Sequence, residues 1–509
     1  MSTLQAIARL QAYESGYAQP ITTVRHAHIA ERPMVFIPLQ LAGQAAAPLA
    51  AMLGENRRRP QLLIVERPRI RRFRFQFAAD LAAVLLPYLE SFTEQSFGDE
   101  PPADAPQIVV PNQGAIAFTA HLGRSTRFRR SSWPDGSSAG KGAGAAVDTD
   151  IAPGVPALGQ WLTWLADRAR VPGSSVLLAA TDLLRAHWAT GQSGYEDGQL
   201  AALHAWIDPP PGLTGAEAAR RTADPILFPP AGPGTDPGFD ERDLAPALEA
   251  CEGAHGDPAA EQAARKSLED VLRSQLEPVW DQVWGAIALL RGLEPAAHTV
   301  RRWEADRRVF SEFDAHVQGG GLPQPRRDNA VSSGRRLSQY ERELDRFEAQ
   351  RAYDDPLVMA EYRLAGEAFA GVVEEAETDR LIGEGRSRKL RPLISIRTSD
   401  DVWAEPGDQF HNAANPRQSA TIVRMEQIAH TNAGDESLVT VELIGGMGRG
   451  RTAAKGTVPQ IGDAVCFTGL ALEGVPSAAF PETHETPWTH GGPPVGHAPT
   501  EEEAEEEWD

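Results

Sequence analysis

The sequence predicts a multidomain chain of mixed class: an α/β head with a mixed sheet, an all-α middle and a small β-barrel of OB or SH3-like type. Three observations predict it. At 509 residues the chain is too long for one core, and ordinary domain sizes give roughly three domains. Residues 33–130 alternate β-branched or aromatic runs with helical stretches. Residues 390–475 hold four or five short runs of strand character and no long helical pattern.

The opening "MSTLQAIARLQAYESGY" has neither a basic start nor a continuous apolar stretch, so no export signal is read. Leu4, Ile7 and Leu10 instead share one side of a short amphipathic helix. Within the head (residues 1–130), "MVFIPLQL", "QLLIVER", "IRRFRFQF" and "QIVVPN" read as strands bounded by Pro, Gly or Asn. Two stretches between them, "GQAAAPLAAMLG" and "FAADLAAVLLPYLESF", read as helices, the second with Leu81, Val84, Leu85 and Leu89 at spacings of three and four.

Residues 131–154 are rich in Gly, Ser and Ala and read as a flexible linker. Residues 155–207 read as a helical subdomain packing on the head, including "PGSSVLLAATDLLRAHW" with Pro172 at a first turn. Residues 208–256, dominated by Pro, Gly and Asp, read as a second linker and the main domain boundary. From 257 to 380 the pattern is one of helical hairpins or a bundle. Asp257 caps a helix whose stripe runs through Leu268, Leu272, Leu276, Val279, Val283 and Ile287, with a kink or split expected at Pro278. Asp355-Pro356 opens another, expected to carry Val358, Tyr362, Ala365, Phe369 and Val372 on one side. The barrel is expected over 390–475, and residues 476–509 read as a disordered acidic tail.

Charge is uneven. The net is −21, yet residues 1–130 carry 15 arginines against 10 acidic residues, a basic head on an acidic body. Of the 49 basic residues 45 are arginine, a bias that a GC-rich genome produces without any function. Two cysteines, Cys251 and Cys466, exclude a disulfide framework and a multi-cysteine zinc site and fit a reducing cytoplasm. No apolar run approaches the length of a membrane span. No cofactor motif survives inspection. "GSSAG" around Ser138 lacks the strand and helix of a nucleophile elbow, and Lys141 in "GSSAGKG" is followed by glycine rather than Ser or Thr. His26 and His28, like His484 and His490, find no third ligand at metal-site spacing, so no metal is expected.

The main candidate interface is the stretch "RPRIRRFRFQF" at 67–77. As a strand it places Arg72, Arg74 and Gln76 on one face and Phe73, Phe75 and Phe77 on the other. The arginines would then track phosphates, and an exposed phenylalanine would stack on bases. The structural alternative is an ordinary half-buried strand with its phenylalanines in the core. Arg57, Arg58 and Arg59 form a second basic cluster, and Arg124, Arg127, Arg129 and Arg130 a third. A glycine-rich barrel loop adds Arg449, Arg451 and Lys455. The tail "EEEAEEEWD" resembles, in layout alone and over nine residues, the acidic tails of single-stranded-DNA-binding proteins, and Trp508 is its one aromatic.

These features predict a non-catalytic, cytoplasmic scaffold in nucleic-acid transactions, accessory to a separate motor ATPase. Its partners would be nucleic acid, single-stranded by preference, and a protein held by the helical block or by the Trp508 tail. One alternative is a hydrolase-type enzyme at the corner "HWATGQSGYED", where His187, Ser193, Glu196 and Asp197 gather near Thr190 and Gln192, with His204 beyond. Helix-end charge preferences account for the same residues without any chemistry. Another alternative is a protein-interaction scaffold that binds no nucleic acid.

Overall fold

The computed structural model describes residues 2–43, 47–93, 104–129, 151–325, 327–328, 330–384, 388–431, 434–448, 450–472 and 479–480. Most of the predicted 131–154 linker, Arg130, Arg449 and nearly all of the predicted tail, Trp508 included, lie outside these residues.

Helix α1 (Thr3–Ser15) opens on a capping box between Ser2 and Gln5 and closes on left-handed Gly16. A two-residue strand, β1 (Gln19–Pro20), follows. The head is then built on β2 (Met34–Gln40), β3 (Pro48–Gly54) and β4 (Gln61–Ile64), an antiparallel meander. Strand β2 also pairs in parallel with β5 (Ile108–Val110), and β5 with β6 (Leu177–Ala179), giving the sheet order β4-β3-β2-β5-β6. Nearly every residue of β2, β3, β5 and β6 is buried, so this sheet is covered on both faces.

One face packs Met34, Phe36, Leu53, Ile108 and Val110 against α2 (Arg71–Thr93), α3 (Gln113–Thr126) and α4 (Gly154–Arg168). The other packs Val35, Ile37, Met52, Val109 and Leu178 against α5 (Ala180–His187), α6 (Leu200–Ile207), α9 (Ala245–Gly253) and α10 (Pro258–Arg291). Before α6 the chain forms a short β7 (Trp188–Ala189), and between α6 and α9 it runs through α7 (Gly215–Arg221) and α8 (Pro237–Phe239).

Four expectations are corrected here. "RRFRFQF" is the first two turns of α2, not a strand. Its alternation ends at Phe77, whereas buried positions continue through Ala78, Leu81, Ala82, Leu85, Tyr88, Leu89 and Phe92 at helical spacing. "PLAAMLG", expected to be helical, is β3, because Ala50 and Ala51 lie where a central strand needs small side chains between two helical layers. Leu177–Ala179, read as helix, is a strand of the head sheet. Residues 208–256 are not a bare linker: Phe239, Leu244, Ala247 and Cys251 bury themselves in the same core as the sheet.

Asp257 caps α10 as expected, its carboxylate accepting from the Ala259 and Ala260 amides. The helix then runs unsplit through Pro278 to Arg291. Helices α11 (Thr299–Gln318) and α12 (Ala330–Asp354) form a hairpin, and Asp355 caps α13 (Pro356–Leu364). Phe369 and Val372, placed by sequence on that helix, belong to a strand instead.

That strand, β8 (Ala368–Glu377), begins a closed antiparallel barrel, separated by the small hairpin β9 (Leu381–Ile382) and β10 (Lys389–Leu390) from its next member. The others are β11 (Leu393–Thr398), β12 (Gln409–Asn412), β13 (Asn415–Thr431), β14 (Gly434–Leu443) and β15 (Ala464–Thr468). Their order around the barrel is β8-β11-β14-β13-β12-β15. Phe369, Ile394, Ile396, Val439, Val441 and Phe467 fill the interior, so the barrel is a packed core and not a channel. Gly371 lets β8 and β11 close, since a Cβ there would collide with the Arg397 carbonyl.

The helical register of α2 is directly testable. Phe77→Ala should cost about 3–5 kcal/mol in urea unfolding, while exposed Gln76→Ala should stay within about 0.5 kcal/mol.

Candidate functional site

The start of α2 carries a dense basic surface. In helical geometry Phe75 and Phe77 turn into the core, and Phe73 is half-buried. The arginines then lie over the aromatic rings rather than across a strand from them. Arg67 and Arg72 sit 5.6 and 4.9 Å from the Phe73 ring centre. Arg71 and Arg129 sit 5.4 and 5.5 Å from that of Phe75. Phe75 therefore joins the 67–77 stretch and the third basic cluster at one point.

The clusters divide by exposure. Arg69, Arg71 and Arg72 are exposed and Arg124 is half-buried. Arg74 is buried, donates from Nε to the Pro68 carbonyl, and has its pKa lowered by burial. Arg127 is buried and donates to the carbonyls of Gln324 and Pro325, at the end of the α11–α12 connection. Buried Arg129 donates to the Ser125 carbonyl at 3.3 Å. Arg127 thus ties distant segments together while Arg74 and Arg129 satisfy local carbonyls, and a buried guanidinium without such acceptors would be costly.

The second cluster lies elsewhere. Arg57, Arg58 and Arg59 sit on the β3–β4 turn, where Arg57 pairs with Asp281 at 2.8 Å and its carbonyl accepts from Trp280 Nε1. This turn is anchored to α10, on the opposite face of the sheet from α2. Arg451 and Lys455 are exposed on the barrel loop, which Met447 and Val458 pin to the barrel core.

The four residues of the alternative catalytic corner are not brought together. His187 is buried; its Nδ1 donates to the Leu183 carbonyl at 2.7 Å and its Nε2 accepts the His26 amide at 3.3 Å. Both ring nitrogens are thus engaged by backbone, and burial pulls the pKa down to about 4. Glu196 is exposed and accepts from the Ser193 amide at 2.7 Å, and the Ser193 side chain first and this amide second lower its pKa. Buried Asp197 accepts from Thr190, Gln192 and Arg9, fixing α1 to the corner. His204 is half-buried beneath Gly285, with its pKa lowered by burial. Among the described residues no group of three or more His, Cys, Asp or Glu side chains is placed to hold a metal ion. Among the same residues no helix is long and apolar enough to cross a membrane.

Sequence reasoning missed a second surface. The buried residues of α1 are Ala8 and Ala12, so Ile7, Leu10 and Tyr13 face outward, Tyr13 at 72% exposure. Tyr13 borders a groove of about 860 Å³ shared with Tyr195, Trp206, Pro225 and Phe228. Exposed Ile226 and Leu227 follow Pro225 directly. The large apolar stripe of α1 was legible; that two alanines would form its buried side was not.

Compared with models of protein families, with curated proteins and with solved structures, the chain finds no match.

The neutral, buried His187 makes stability pH-dependent. The unfolded imidazole takes a proton near pH 6.5 and the folded one only near 4, so the unfolded state binds more protons between these values. Stability is therefore complete above about pH 6.5 and falls as pH drops toward 4, by at most about 3 kcal/mol for this group. Denaturant unfolding across this range should show the fall, and His187→Gln should make it shallower, leaving the share of His28, whose pKa burial also lowers to about 4.

Proposed function

We propose that the chain is a non-catalytic binding or scaffold protein that associates with nucleic acid through the arginine face at the start of α2, as an accessory to a separate motor ATPase. One observation carries this reading: two basic segments far apart in sequence meet at Phe75, leaving Arg71 and Arg72 exposed on an aromatic base. With Phe75 and Phe77 buried and Phe73 under two arginines, contact would run to phosphates and not to base faces. Binding would follow backbone charge and carry little sequence preference. The barrel, an OB or SH3-like module in this reading, would add Arg451 and Lys455 as a second contact.

Fluorescence anisotropy of a labelled single strand across a salt series tests this. The affinity should fall steeply with salt, and Arg71→Ala with Arg72→Ala should weaken binding and reduce the logarithmic slope by about two. Arg74→Ala should instead lower the unfolding midpoint, because that side chain is buried. Absence of binding at low salt, or an affinity flat in salt, would sink the proposal.

The α1 surface favours a second reading, a protein-interaction scaffold. Exposed Tyr13, Tyr195, Ile226 and Leu227 beside a groove form the kind of aromatic, apolar patch that partners cover. If the occupant is a second copy, light scattering should find a dimer that Tyr13→Ser with Tyr195→Ser converts to monomer.

A further inference from the structure

A cavity of about 320 Å³ opens where the loop after α4 meets α11 and α12. Its charged lining consists of Arg168, Arg301, Arg302 and Arg346 with Asp306 and Glu343, a formal balance of +2 in a chain of net charge −21. The two acids are already engaged. Asp306 is buried and accepts from Arg168 Nη2 at 2.6 Å, Ser174 Oγ at 2.9 Å and the Ser175 amide at 2.7 Å. Glu343 accepts from Arg346 Nη1 at 3.0 Å. Asp354, which also acts on Arg302, is held by the ring and amide of His298.

Arg301 and Arg302 are left to carry the excess charge. Arg301 is exposed and makes no ion pair or hydrogen bond among the described residues. Arg302 is fixed in place. It donates to Gln350 Oε1 at 2.7 Å and to the His26 carbonyl at 2.6 Å, and lies 5.0 Å from the Phe347 ring centre. Burial lowers its pKa to about 10, so it remains a cation at neutral pH. Gly173, at φ +80°, closes the loop onto this pair, since a Cβ would meet Arg302 Cδ at 2.7 Å and Phe347 Cδ2 at 2.9 Å.

A rigid cationic floor of this kind suits a compact anion. Planar guanidinium forks match phosphate oxygens. The volume is at the lower end of ligand sites, of order 300–1,000 Å³, and too small for a duplex. A lone carboxylate would neutralise half of the excess, whereas a phosphomonoester dianion neutralises all of it.

We propose that this cavity binds the dianionic phosphate of a phosphomonoester, with Arg301 and Arg302 as its charge partners. The site is independent of the α2 arginine face. Titration calorimetry of the full chain should show saturable one-to-one binding of adenosine 5′-monophosphate and none of adenosine. Arg301→Ala should weaken that binding at least tenfold at an unchanged unfolding midpoint, with Arg346→Ala as a second rim variant, while Arg71→Ala with Arg72→Ala should leave it intact. An oligonucleotide with a 5′-phosphate that outcompetes its 5′-hydroxyl twin would identify a strand end as the source; failure of both strands to compete would identify a free phosphomonoester, and equal competition by both, which backbone diesters alone explain, would overturn the proposal. No saturable binding of the monophosphate, or binding indifferent to both Arg301→Ala and Arg346→Ala, would overturn the proposal.

Discussion

The structure depends on one constraint: the five-stranded sheet of the head is apolar on both faces. Val35, Ile37 and Met52 point one way while Met34, Phe36 and Leu53 point the other, and all are buried. Each face must be covered, at a gain of about 25 cal/mol per Å² of apolar surface removed from water. The chain meets this demand from distant segments. Helices α2, α3 and α4 come from within the first 170 residues, whereas α9 and α10 come from residues 245–291. A stretch of Pro, Gly and Asp between α6 and α9 cannot be an idle tether under that demand. It delivers Phe239 and Leu244 to the core.

The second consequence concerns the arginines. A basic segment beside an apolar core has to be sorted between acceptors and solvent, because an unpaired buried guanidinium is expensive. Arg74, Arg127 and Arg129 reach backbone carbonyls, and the α2 arginines lie over Phe73 and Phe75. Density of arginine is therefore a poor guide to a binding surface. The positions left at the surface are fewer, and the cavity arginines come from "RRWEAD" on α11 and from α4 and α12, none of them in a conspicuous cluster.

The head, the helical hairpin and the barrel are joined by short polar contacts. Asp355 caps α13 and also accepts from the amide and hydroxyl of Thr23, with His26 Nε2 3.4 Å away. Burial alone would raise its pKa, but the imidazole and these donors outweigh it and bring the value to about 2. Ser2 reaches Glu361 on α13, and Tyr353 on α12 donates to the Leu470 carbonyl beyond the barrel's last strand. Arg363 grips Asp400 with two hydrogen bonds, tying α13 to the barrel. A break in composition along the chain need not be a mechanical break in the molecule.

What the sequence determined by itself is what local chemistry encodes. Caps at Asp257 and Asp355, the long stripe of α10 and the strands β2, β4, β5, β11, β13, β14 and β15 follow from hydrogen-bonding side chains and from apolar period. So does the presence of basic clusters. Only the tertiary structure decided the rest. Seven residues of "RRFRFQF" fit either period, and the choice fell to the helical spacing that continues beyond Phe77. Alanines in β3 mimic a helix until two helical layers require a thin strand. That Arg127 is held by the Gln324 carbonyl, and that Arg168 meets Asp306 beside an open cavity, depends on segments more than a hundred residues apart. The physical reason is the same in each case: burial is a property of what packs against a residue, and that partner lies outside the window in which a pattern is read.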